Sequence, residues 1–149
     1  MQANTQIAQD QLSVIRKEVA QIGAGTDRLE VTLTNIRNAR GKLMIAVYDT
    51  ANGFPESFDA AHLRIMIPAK PGKQTVSIIG LQNKDYALTV FHDENENGVL
   101  DKNALGMPLE GYGVSNNARN RFRAPDWTKA KFRMRDGKKL FVKLAYPVL

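Results

Sequence analysis

From residue 28 onward the chain alternates with a period of two, which restricts the fold to one built of sheets. In "RLEVTLTNI" (28–36) Leu29, Val31 and Leu33 share one face while Glu30, Thr32 and Thr34 share the other, because successive strand side chains point to opposite faces. Leu63, Ile65 and Ile67 alternate in the same way with His62, Arg64 and Met66. Further strand-like runs are "QTVSIIGL" (74–81), "YALTVFHD" (86–93), "AKFRMR" (130–135) and "KKLFVKLAY" (138–146). "KLMIAVYD" (42–49) is apolar on both faces, as a central strand would be. Turn chemistry separates the runs: "RNARG", the loop around Gly53 and Pro55, "PGK", "QNKD" and Asp136-Gly137, the last a strong hairpin signal. Seven short strands with turns between them predict an all-β sandwich.

Two segments depart from that period. Leu12, Ile15, Val19 and Ile22 are spaced as on a helix, predicting a short amphipathic N-terminal helix over residues 7–22. "GAGT" (23–26) sets it apart, so the expected division is 1–26, helix and linker, and 27–149, the sandwich. The helix is expected either to dock loosely or to mediate self-association. Residues 94–128 are a Gly- and Asn-rich loop without a clear period. Loops this long inside a compact domain are commonly functional or disordered.

The loop begins in "HDENENGVLD" (92–101), where Asp93, Asn95 and Asn97 place an oxygen-bearing side chain at every second position. Gly98 allows a sharp turn, Val99 offers its carbonyl, and Asp101 follows. Calcium takes six to eight hard oxygens, and this spacing nearly matches the first nine positions of an EF-hand loop. Ala104 stands where an EF-hand has a bidentate glutamate, and the loop follows a strand, so it is not an EF-hand. Water or Glu110 is expected to complete a weak calcium shell. The competing expectation is an ordinary polar turn with Asn97-Gly98 as its hairpin pair.

"EGYGVSNNAR" (110–119) offers Tyr112 for stacking and Asn116, Asn117 and Arg119 for hydrogen bonds to a small ligand. Equally, amides and glycines cap and turn a long loop while Tyr112 packs it down. His92 shares strand parity with Tyr86, Leu88 and Val90, which places it at the edge of the core with a hydrogen-bond partner. No cysteine accompanies it, and Ser115 lacks a nucleophile motif, so no catalytic constellation is visible.

Composition narrows the setting. The 149 residues are 43% hydrophobic and 24% charged, ordinary for a globular domain. No apolar run reaches the ~18 residues of a membrane span, and the first residues lack the apolar core of a signal peptide. The expected location is therefore either the cytoplasm or, if a leader is removed, the periplasm or cell exterior. The net charge of +6 is local: Arg119 to Lys143 holds ten Lys or Arg against Asp126 and Asp136. Lys131, Arg133 and Arg135 share a strand face that could bind a polyanion or acidic polysaccharide, or could simply be solvated. No specific nucleic-acid motif is present.

"LTNIRNARGKLMIAVYDTANGFP" together with "YALTVFHDENENGVLDKNALGMPLEGYGVSNNAR" resembles an uncharacterised bacterial family, a domain of unknown function, over about residues 29–145. The resemblance implies an exported protein with a prealbumin-like or carboxypeptidase-regulatory-like Greek-key sandwich, and it implies no activity. The expected function is a non-enzymatic binding or structural module with a calcium-organised loop. The alternatives are a small-molecule enzyme on such a sandwich, or an assembly subunit docking through its N-terminal segment.

Overall fold

The computed structural model describes residues 5–6, 12–14, 19–119 and 123–147. Each of the seven expected strands forms: β4 (Arg28–Ile36), β5 (Lys42–Tyr48), β6 (Leu63–Pro68), β7 (Gly72–Ile79), β8 (Asp85–Asp93), β10 (Phe132–Arg133) and β11 (Lys138–Lys143). Three short strands precede them, β1 (Thr5–Gln6), β2 (Leu12–Val14) and β3 (Val19–Gln21), and β9 (Tyr112–Val114) lies inside the long loop. They form two sheets, ordered β1-β3-β7-β4-β11 and β10-β8-β5-β6-β2, with β9 added to β8.

The inward faces carry the alternating residues read from the sequence. Leu29, Val31 and Leu33 of one sheet meet Ile45, Ile65 and Val90 of the other, all with no exposed surface. Alternate side chains from two sheets thus interdigitate in one core. The outward face of β5 and β8 is covered as well. Met44, Tyr48, Ala87, Thr89 and Phe91 are buried there. Tyr48 packs edge-on to Phe54 at 5.3 Å, Phe54 to Trp127 at 5.8 Å, and Phe58 to Phe91 at 6.0 Å. Two loops therefore cover one sheet, which is why "KLMIAVYD" is apolar on both sides.

Two local expectations change. Asp136-Gly137 does turn the chain, with Gly137 at φ 84°, but it makes no hairpin. β10 pairs with β8 in one sheet and β11 pairs in parallel with β4 in the other. The turn is held to the start of β4, where Asp136 Oδ1 accepts the Arg28 N–H at 2.9 Å and Arg28 O accepts the Gly137 N–H at 2.9 Å. The helix expected over 7–22 falls partly on residues 7–11 and 15–18, outside the described ones. Its last part, Val19–Gln21, is a strand pairing in parallel with β7. Ala20 is buried in the core and Ile22 packs against it. Gly80 permits this close approach: its φ is +107°, and a Cβ there would lie 1.9 Å from the Ile22 carbonyl oxygen. Tertiary burial has overridden a thin helical stripe.

Candidate functional site

β8 ends at Asp93, which is 2% exposed and whose carboxylate organises the turn that follows. Oδ1 accepts the Asn97 N–H at 3.2 Å and Oδ2 the Gly98 N–H at 2.8 Å. Asn95 and Asn97 close Asx turns, their Oδ1 atoms accepting N–H groups two residues on, from Asn97 and Val99. Their Nδ2 groups both donate to the Asp101 carboxylate, at 2.8 Å each. Positive φ falls on Glu96 and Gly98 and not on Asn97, so the turn is not the two-residue hairpin that Asn-Gly suggests.

Glu110 reaches back into this loop from the far end of a small hairpin. Residues 101–109 pair through Leu109 N–H to Asp101 O at 2.7 Å and Asn103 N–H to Met107 O at 2.9 Å. Asn103 Oδ1 also accepts from Leu105 and Met107, fixing the hairpin tip. The Glu110 carboxylate, 6% exposed, accepts the Asp101 N–H and the Glu94 N–H at 3.1 Å each. Burial pushes its pKa above the ordinary value, and the nearby charges of Asp101 and Asp93 push the same way, against those two hydrogen bonds. Among the described residues no three His, Asp or Glu side chains converge as a ready-made metal cage; the loop's polar groups are tied to one another.

The loop is braced from outside by residues that the sequence marked only as a turn. Arg37 grips Glu94 with two bonds, 3.1 and 2.6 Å, and Asn38 donates to the same carboxylate at 2.6 Å. The Arg37 hydrogen bond is the main reason that the Glu94 carboxyl sits below its usual range. Arg37 also lies over the Tyr146 ring at 4.6 Å. His92 is fully buried at the core edge, as its parity indicated. Its Nε2 faces the Arg40 carbonyl at 2.6 Å and must donate, leaving Nδ1 to accept a hydrogen bond from the Tyr146 hydroxyl at 2.7 Å. Both ring nitrogens are thereby used in packing.

The second motif divides. Ser115 Oγ accepts the Leu88 N–H at 3.0 Å and donates to Ala130 O at 2.6 Å. Asn116 Nδ2 donates to the carbonyls of Lys129, Ala130 and Lys131, closing the short helix α1 (Trp127–Ala130). Asn117 Oδ1 accepts the Lys143 N–H at 3.0 Å. These three side chains hold the loop to the sheets. Tyr112 and Arg119, with Asn117 beside them, line a cavity of about 850 Å³, bounded by the acidic loop, the 101–109 hairpin, β9 and the C-terminal segment. Burial raises the Tyr112 hydroxyl pKa. Val99, expected to offer only a carbonyl, lines the same cavity and is 57% exposed. The other cavity cations come from separate parts of the chain: Arg123 and Lys143 belong to the basic 119–143 region, while Lys102 carries no sequence signal.

His62 and Asp49 meet elsewhere, at 3.6 Å, with Lys84 on the same Asp49 oxygen at 3.6 Å. On the basic face Asp85 pairs with Lys131 at 3.6 Å and Arg133 at 3.1 Å, so its net charge is smaller than the composition suggests. No helix among the described residues is long and apolar enough to cross a membrane.

No curated protein and no solved structure matches the chain. A family model described as "Uncharacterized protein conserved in bacteria (DUF2141)" matches residues 31–141. That span takes in the acidic loop, the Glu110 hairpin, β9 and most of the cavity wall. With the greater part of its length inside the match, this chain belongs to the bacterial family DUF2141.

Proposed function

We propose that the protein is an exported, non-enzymatic binding module whose 93–110 loop is organised by calcium. The observation that supports this best is the return of Glu110 onto the Asp93–Asp101 turn, which sets three carboxylates around one loop. Their mutual repulsion is a cost that a cation would remove. The donors on offer are all hard oxygens: Asp93, Asp101 and Glu110 carboxylates, Asn95 and Asn97 amides, and the Val99 carbonyl. In Asp93 and Glu110 each carboxylate oxygen spends one lone pair on an N–H group, so a second stays available. Asn95 and Asn97 already aim their amides at Asp101. Turning each amide over would exchange its nitrogen for an oxygen on the ion.

Without a bidentate glutamate at the twelfth position the affinity should be weak, on the order of 10⁻⁴ to 10⁻³ M, the range of extracellular modules. Such a site fills outside the cytoplasm, in keeping with the export that the sequence resemblance implies. Thermal melts in millimolar calcium and in chelator test the proposal. Calcium at a hundredfold excess over its Kd should stabilise the wild type by about 2.7 kcal/mol, and should leave Asp93→Ala unmoved. An identical calcium response in the two proteins would sink it.

A further inference from the structure

The cavity beside the acidic loop has a chemistry of its own. At about 850 Å³ it falls within the roughly 300–1,000 Å³ of ligand-sized pockets. Its lining is largely apolar: Phe58, Phe91, Val114, Leu105 and Met107 contribute, together with the Tyr112 ring. Among the described residues the large hydrophobic side chains left exposed are Val99, Leu105, Met107, Leu109 and Phe141, and the first three line this cavity. Leu105 is 87% exposed, yet it sits on a hairpin tip that Asn103 fixes by two hydrogen bonds. Three exposed apolar side chains gathered at one cavity form the kind of patch that marks a binding surface.

The charge on the cavity wall is one-sided. Lys102, Arg119, Arg123 and Lys143 line it, against Glu56 as the lone carboxylate among the described lining residues. Lys102 pairs with Glu56 at 3.3 Å and Arg123 with Asp126 at 3.6 Å. Arg119 and Lys143 have no acidic partner among the described residues. A site with an apolar interior and two unmatched cations at its wall complements a molecule with a tail and a negative head.

We propose that this cavity binds a free amphiphilic anion, an alkyl or acyl chain ending in a carboxylate, with the tail over Phe91, Leu105 and Met107 and the head at Arg119 and Lys143. The cavity gives the binding module a ligand class, and the inference rests on the module reading but not on its calcium. The acidic loop supplies one wall, so calcium would stiffen the site without touching the ligand.

Isothermal titration of the full chain with dodecanoate and with dodecyltrimethylammonium, each below its micelle threshold, tests this. Dodecanoate should saturate at one molecule per chain and bind at least about tenfold more tightly than the cation of equal tail length. Arg119→Glu combined with Lys143→Glu, both at exposed positions, should abolish or reverse that preference while the melting temperature holds. Leu105→Ser with Met107→Ser should weaken both probes alike. Equal affinity for the two probes, no saturable binding, or binding to anionic vesicles with none to monomeric dodecanoate would each overturn the proposal. Running every titration in calcium and in chelator keeps it separate from the loop: selective binding in either buffer supports the cavity, whatever calcium does to the melt.

Discussion

Glu110 and Glu94 are sixteen residues apart, and their pKa values are shifted in opposite directions around the same turn. Glu110 is held above its ordinary pKa by burial and by the Asp101 and Asp93 charges. The folded state therefore binds its proton more tightly than the unfolded chain does, and its contribution is full below the unfolded value and lost as pH rises through the folded one. Glu94 is held below its ordinary value, chiefly by Arg37; its contribution is present above the unfolded value and lost as pH falls through the folded one. In chelator, melts taken upward from about pH 4.5, the reference glutamate value, should show the Glu110 contribution fading. Calcium should reverse that sign, since the ion favours the charged carboxylate, so calcium-induced stabilisation should grow with pH over the same interval. A gain that is flat with pH would remove Glu110 from the site. Ser115 gives a prediction of another kind. Ser115→Ala strands the buried Leu88 N–H and should cost about 1–3 kcal/mol, measurable by urea denaturation, with no change in the calcium response. Spacing alone exposed Asp93, Asn95, Asn97 and Asp101, because the donors of a single turn are near in sequence. Arg37 and Asn38 could not be found that way: they reach Glu94 across more than fifty residues.

The elements that the sequence displayed are the longer strands, whether one face is wet, as in β6 and β7, or both are dry, as in β5 and β8. β4, β6 and β7 alternate and were found at nearly their observed bounds. β9 was invisible because it is three residues long and centred on Gly113, which contributes no side chain to either face. Gly113 is there for closeness: a Cβ would lie 2.8 Å from Val142 Cγ1. The Asp136-Gly137 turn was recognised, but its strands go to different sheets, and local turn chemistry carries no information about that. β3 shows the limit of periodicity in short runs: the stripe residue Val19 is half-buried there, while the buried Ala20 lay outside the stripe. A truncation prediction follows from β3. Removing residues 1–18 takes away, among the described residues, only the short pairings of β1 with β3 and of β2 with β6, and should lower the melting temperature by less than a longer cut. Removing 1–25 also strips Ala20 and Ile22 from the core and uncovers an edge of β7. It should cost about 2 kcal/mol or more, roughly 4–8 °C for a domain of this size. Equal melting temperatures for the two truncations would show that β3 adds nothing.

At the scale of the whole molecule, charge is distributed less evenly than the net +6 suggests. Asp85 compensates Lys131 and Arg133, so any attraction to a polyanion should be modest and strongly salt-dependent. Neutralising Lys131, Arg133 and Arg135 together should flatten the salt dependence of heparin retention. Unchanged retention would make that face a solvated one. The parallel pairing of β11 with β4 carries a consequence for how the chain acquires its shape. Lys138↔Leu29 through Lys143↔Thr34 join segments more than a hundred residues apart. During synthesis β4 can meet β7 early, but the opposite edge of β4 stays open until β11 leaves the ribosome. Contacts so distant in sequence make for slow folding, and an unfilled strand edge is a template for wrong partners. A nascent chain that still lacks β11 is then the form most in need of a chaperone.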